Sequence, residues 1–264
     1  MRPLPPSHAV GVPADSSPRK RRLLAGVGGP LLALALFTAG CGVKGADNAN
    51  LIVGKQDFVA KCGSCHTLAR ADTKGIVGPN LDEAFRASVA EGLERNTIRG
   101  VVEHQVEFPN HEGVMPAGLL HGAAVSDVAA YVAQSADRTT PDTGLLASAV
   151  AAPGAGKPAV EKAGKLEIPA NATGQLAYAT NKATATPGAV TITMPNMSGV
   201  SHNIAVEAGS GGEKPTTGTV LGASSFVAKG ATSVTVTLKP GTYTYFCQAP
   251  GHRAAGMFGT LTVK

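Results

Sequence analysis

The chain has 264 residues, enough for two domains of roughly 100 residues, each with its own core. Trp is absent, aromatic residues make up 4% and Gly is abundant, a composition that suits small interiors completed by cofactors. The formal charge of +5 would fit a nucleic-acid or anionic-lipid partner, but five basic residues and one acidic residue precede Cys41, and without them 18 basic residues face 17 acidic. The basic balance therefore belongs to a targeting segment, and no nucleic-acid partner is expected.

Arg19 to Arg22 form a positive run, Leu23 to Ala39 an apolar stretch broken by Gly and Pro, and Thr-Ala-Gly-Cys follows at 38–41. This is the order of an export signal. Its end, Phe37-Thr-Ala-Gly-Cys41, resembles a bacterial lipoprotein processing box with Thr38 where Leu is usual, which implies lipidation of Cys41. An uncleaved signal anchor is the other reading, since about 17 apolar residues is near the lower limit for a membrane span. Residues 1–40 are thus expected to be signal and 41–50 a tether. The remainder is expected on the outer face of the bacterial cytoplasmic membrane, lipid-anchored or signal-anchored.

From Leu51 to about residue 137 the pattern is helical: Phe58 and Val59 precede a cysteine pair, and Val125, Val128, Ala129 and Val132 repeat at helical spacing. Ser126 and Asp127 suit the start of that last helix, and Gly78-Pro79-Asn80 and Gly113-Val-Met-Pro116 read as loops. Residues 138–163, rich in Ala, Pro, Gly and Thr, read as a flexible linker whose coil would span on the order of 25–30 Å. From residue 164 to 264 short runs rich in Val, Thr, Ile and Tyr, such as Val190–Met194, Asn203–Glu207, Ser233–Leu238 and Thr242–Phe246, carry the spacing of a β-sandwich. Met194 and Met197 are assigned to packing.

With Cys41 assigned to processing, an odd three cysteines remain, which no simple disulfide framework uses up. Cys62-Gly-Ser-Cys65-His66 is a Cys-x-x-Cys-His pentapeptide: two thiols on one helical turn can each add to a haem vinyl group while the His ligates the iron. A redox dithiol or half of a zinc site are the other readings, and no second ligand pair stands at zinc spacing. Through this pentapeptide, Gly54, Phe58, Gly78-Pro79-Asn80-Leu81, Met115-Pro116 and Tyr131, residues 51–137 resemble class I cytochromes c. The resemblance implies an all-α domain with one covalent haem c, Pro79 accepting a hydrogen bond from His66, and Met115 as the sixth iron ligand. His104, His111 and His121 are the rivals for that position.

The last third contains Cys247-Gln-Ala-Pro-Gly-His252-Arg-Ala-Ala-Gly-Met257, with His202-Asn203 upstream at a strand head. One thiolate, two imidazoles and a thioether are the donor set of a type 1 copper centre with a weak axial Met. Here residues 164–264 resemble cupredoxins, rusticyanin-like members above all. The resemblance implies an all-β Greek-key sandwich, with His202, Cys247 and His252 as strong copper ligands, Met257 as axial ligand, and Asn203 bonding across to the Cys loop. A binuclear copper centre would need a second Cys where Gly251 stands.

The expected whole is a membrane-tethered electron carrier, not an enzyme, with one haem and one copper ion and no catalytic residue. Its expected partners are membrane respiratory complexes or extracytoplasmic redox enzymes. The alternatives are the electron-entry subunit of a nitrite or oxygen reductase, for which ligands to a third metal are missing, and a copper-delivery module.

Overall fold

The computed structural model describes residues 48–215 and 218–264. The signal expected over 1–40, and Cys41 with it, lie outside these residues. Among the described residues no helix is long and apolar enough to cross a membrane.

Asn50 opens helix α1 (Leu51–Asp57), its side-chain oxygen accepting from the amides of Ile52 and Val53. The chain continues into a π-helical turn, Phe58–Cys62, closed by the Gly63 N–H on the Phe58 carbonyl. A small antiparallel pair follows, β1 (Thr67–Leu68) with β2 (Thr73–Lys74), a feature too short to leave a strand pattern in the sequence. Helices α2 (Leu81–Ala84), α3 (Arg86–Ala90), α4 (Arg95–Glu107) and α5 (Ala123–Ser135) complete this half.

Helices α1 and α4 both pack on α5. At the α1–α5 crossing a Cβ on Gly54 would lie 2.1 Å from the Asp127 carbonyl oxygen, so the approach requires glycine. The Phe58 and Tyr131 rings meet there with centroids 6.2 Å apart. Phe58, Leu68, Val106, Val128 and Val132 are buried together, each large apolar side chain contributing about 1.5–3 kcal/mol. The start of α5 differs from expectation. It begins at Ala123 after Gly122, whose φ of 59° turns the chain, and Asp127 instead accepts from the Asn50 amide at 2.7 Å, tying the first helix to the last. Ser126 bonds Arg99 and Glu103.

Residues 138–163 are not a free coil. They carry α6 (Gly144–Ala147) and strand β3 (Ala159–Val160). Asp142 is buried and pairs with Lys55 at 3.0 Å and Arg70 at 2.6 Å, and the Tyr131 hydroxyl donates to it. The linker composition hid a single carboxylate that answers two largely buried cations.

The second half is a sandwich. Strands β4 (Lys165–Glu167), β6 (Gly188–Asn196) and β9 (Gly230–Leu238) form one sheet in the order β4-β6-β9. The other contains β5 (Lys182–Ala185), β7 (Ala205–Ala208), β8 (Val220–Ala223), β10 (Gly241–Phe246) and β11 (Phe258–Val263), ordered β3-β5-β11-β10-β7-β8. Alternation decides the inner face: Val234, Val236 and Leu238 of β9 and Val190, Ile192 and Met194 of β6 point inward, with Thr between them outward. Met194 is fully buried as expected, but Met197 is 66% exposed and packs in no core.

Candidate metal centre

Pairing of β10 with β11 places Phe246 opposite Phe258, so Cys247 and Met257 face each other across the mouth of the hairpin, joined by the Cys247 N–H on the Met257 carbonyl at 3.1 Å. The intervening turn is drawn in by the His252 amide on the Ala249 carbonyl and the Met257 amide on the His252 carbonyl. β7 pairs with the other edge of β10, and the stretch preceding it carries His202, held by reciprocal backbone bonds to Val227. One hairpin thus supplies three candidate ligands and a neighbouring segment supplies the fourth.

The Nδ1 atoms of His202 and His252 lie 3.1 Å apart, and the Cys247 sulfur lies 4.0 Å from the first and 3.5 Å from the second. Among the described residues this is the group of His, Cys and carboxylate side chains close enough to share a metal ion. Cys247, His202 and Met257 are buried and His252 is half-buried behind exposed Pro250 and Ala254. Burial, with His252 adding to it, pushes His202 down to about 4, and burial also lowers His252. Both rings are therefore neutral at pH 7, their lone pairs available to a metal. Burial raises the Cys247 thiol, opposed by the backbone N–H groups of Asn203 and Ala249 directed at the sulfur. A neutral imidazole pair and a desolvated thiol converging within 4 Å fit a copper ion of the type 1 class, in which a thiolate supplies the intense charge-transfer band.

The Asn203 side-chain oxygen accepts from the Gln248 backbone N–H at 2.8 Å, and its side-chain nitrogen donates to the Gln248 side chain and the Ser224 carbonyl. Sequence reasoning missed Arg253. Its buried guanidinium grips both oxygens of Glu207 on β7, at 3.0 and 2.6 Å, donates to the carbonyls of Gly212 and Lys214, and lies 4.2 Å from the Phe246 ring centroid. Directly after His252, it anchors the ligand turn to the sheet. An acid in a strand, Glu207, spaced among inward residues was the one signal that could have suggested a buried partner.

In the helical half Cys62 and Cys65 are free thiols, Cys62 buried and pushed up to about 12 by burial first and by Cys65 and Asp57 after it. The His66 Nδ1 lies 2.9 Å from the Pro79 carbonyl oxygen. Met115 is half-buried against the helical core, whereas His104, His111 and His121 are exposed, the His104 ring lying tilted against that of Phe108.

Residues 165–264 are a blue-copper domain of the cupredoxin type, and they match the family of copper binding proteins, plastocyanin/azurin family. Auracyanin from Roseiflexus castenholzii is similar at 26% identity over 39% of this chain and 99% of its own, with a TM-score of 0.35. Auracyanin A from Chloroflexus aurantiacus is 26% identical over 41% of this chain and 100% of its own, with a TM-score of 0.32. Rusticyanin from Thiobacillus ferrooxidans is 24% identical over 40% and 82%, with a TM-score of 0.33. No curated protein matches the chain.

Proposed function

We propose that the protein is a one-electron carrier with two redox centres, a type 1 copper ion held by His202, Cys247, His252 and Met257 and a covalent haem c on Cys62 and Cys65. The observation that carries the reading is the convergence of two neutral imidazoles on a buried thiol, a closed donor set suited to electron exchange.

The residues of the helical half fit a haem. The hydrogen bond between His66 Nδ1 and Pro79 leaves Nε2 as the ligating nitrogen. Gly78 lies flat on the imidazole, where a Cβ would come within 2.5 Å of the ring. Leu93, Val101, Phe108 and Val114, all exposed large apolar side chains, lie in the segment joining His66 to Met115. Such a set is what an apolar prosthetic group would cover. When bound, the haem supplies a second one-electron couple, with His66 and Met115 as the protein's iron ligands.

The electrons would pass to or from membrane respiratory complexes or extracytoplasmic redox enzymes, the protein being held at the outer face of the bacterial cytoplasmic membrane through Cys41 or an uncleaved signal. The test is the full chain produced with haem maturation and added copper, titrated stepwise while the haem bands and the thiolate-to-copper band are followed together. Two one-electron couples are expected. Haem bands without the copper band would overturn the copper assignment, and the reverse would overturn the haem assignment.

A further inference from the structure

The loop after His66 carries two exposed apolar residues, Ile76 and Val77, at 69% and 64% exposure. Its base is moulded onto the pentapeptide. A Cβ on Gly75 would lie 2.5 Å from the Cys65 carbonyl carbon and 2.6 Å from the His66 nitrogen, the Thr67 hydroxyl donates to the Gly75 carbonyl, and the Gly78 amide donates to the Cys65 carbonyl. Its tip touches the other half of the molecule. A Cβ on Gly251 would lie 2.7 Å from Ile76 Cδ1 and 3.0 Å from its Cγ1, and Gly251 has a φ of 79°. Position 251 therefore favours glycine for its left-handed backbone, and the end of the Ile76 side chain lies in the space beside it. The next residue is the copper ligand His252.

Two other contacts hold the same halves together. Lys74, one residue before this loop, pairs with Glu213 at 3.2 Å, and Gly174 approaches the Ala60 carbonyl so closely that a Cβ would come within 2.5 Å. The described residues of both halves belong to one compact unit.

We propose that Ile76 is a docking residue which seats the haem-holding loop on the copper-ligand turn of the same chain, so that Cys65 and His66 connect to His252 through Gly75, Ile76 and Gly251. The partner on this part of the copper-site mouth is thus the chain's own 74–77 segment. The inference rests on the two-centre reading. The exchange it serves moves one electron, lost by one metal and gained by the other, with no bond made or broken and no further reactant. Lys74 and Glu213 are both about half exposed, so their pair adds steering more than affinity.

Two experiments on the full chain test it. With p-benzoylphenylalanine at position 76 and no metal added, photolysis should join position 76 to the peptide spanning 248–254. In loaded protein Ile76→Asp replaces the apolar contact at Gly251 with a hydrated charge and should lower the docked population, and with it the flash-induced rate between the centres, about threefold. Both visible spectra should stay unchanged. Lys74→Glu should slow transfer by a smaller factor and Glu213→Lys should restore it. Adducts elsewhere, together with an unchanged rate in Ile76→Asp carrying both chromophores, would overturn the docking. The expected adduct in a chain that takes up no haem would support the contact while ending the two-centre reading.

Discussion

Replacing Arg253 by Met keeps most of the side chain's length and apolar stem while removing the cation that joins the copper turn to β7. In the native fold the guanidinium makes two charge-assisted bonds to Glu207, two bonds to backbone carbonyls, and a close approach to the Phe246 ring, and Glu207 itself is only 2% exposed. Taking away one partner of such a buried pair costs about 3–5 kcal/mol, because the remaining charge stays desolvated. For a domain of about 100 residues, 3 kcal/mol lowers the unfolding midpoint by about 12 °C or more. The assay is thermal unfolding of metal-free protein, followed by circular dichroism of the β signal, beside the double variant Arg253→Met/Glu207→Gln, which should recover part of the loss. With copper bound, the thiolate band should shift in Arg253→Met, since His252 is the preceding residue. A loss below about 1 kcal/mol in the single variant would refute the claim that this pair anchors the turn.

Asn203→Ala leaves the Gln248 amide without its acceptor and should cost about 1–3 kcal/mol, seen as faster copper release to a chelator; unchanged release would mean the turn is held without it. Asp142→Ala leaves Lys55 and Arg70 without their common carboxylate, so limited proteolysis should cut within 138–163 much faster than in the parent, and equal cutting rates would count against the packed connection. In metal-free protein His202 titrates near 4 against an ordinary 6.5, so between these values the unfolded chain binds the extra proton and stability falls as pH falls. The unfolding midpoint should therefore drop from pH 6.5 to pH 5 more steeply in the parent than in His202→Gln, and parallel profiles would remove this burial argument.

The copper ligands were legible because a hairpin end brings Cys247, His252 and Met257 together in sequence as well as in space, leaving only His202 to be found at a distance. Strands β6, β9 and β10 were equally plain, their Val, Ile and Thr alternating with the pleat. Strands β3, β5 and β8 were not, being two to four residues long and lacking a period-2 run of β-branched residues, so that their pairing is imposed by neighbours. Arg253 was hidden because an arginine in a loop reads as solvated, and only the fold brings Glu207 under it. Asp142 and Asp127 were hidden likewise, each answering groups that lie far from it along the chain. Ile76 stood out in no pattern, since its contact at Gly251 belongs to the other half of the chain.

Strand β3 lies parallel to β5 at the rim of the six-stranded sheet, with Ala159 opposite Ala183 and Val160 opposite Thr184. Severing the chain at residue 164 to isolate the copper half would strip away this selvedge and leave the β5 backbone groups open along one side, a template on which a second molecule can pair. The low-complexity stretch is therefore a hem of the fabric as well as a joint, and a shortened protein that keeps its blue colour would be expected to associate with itself.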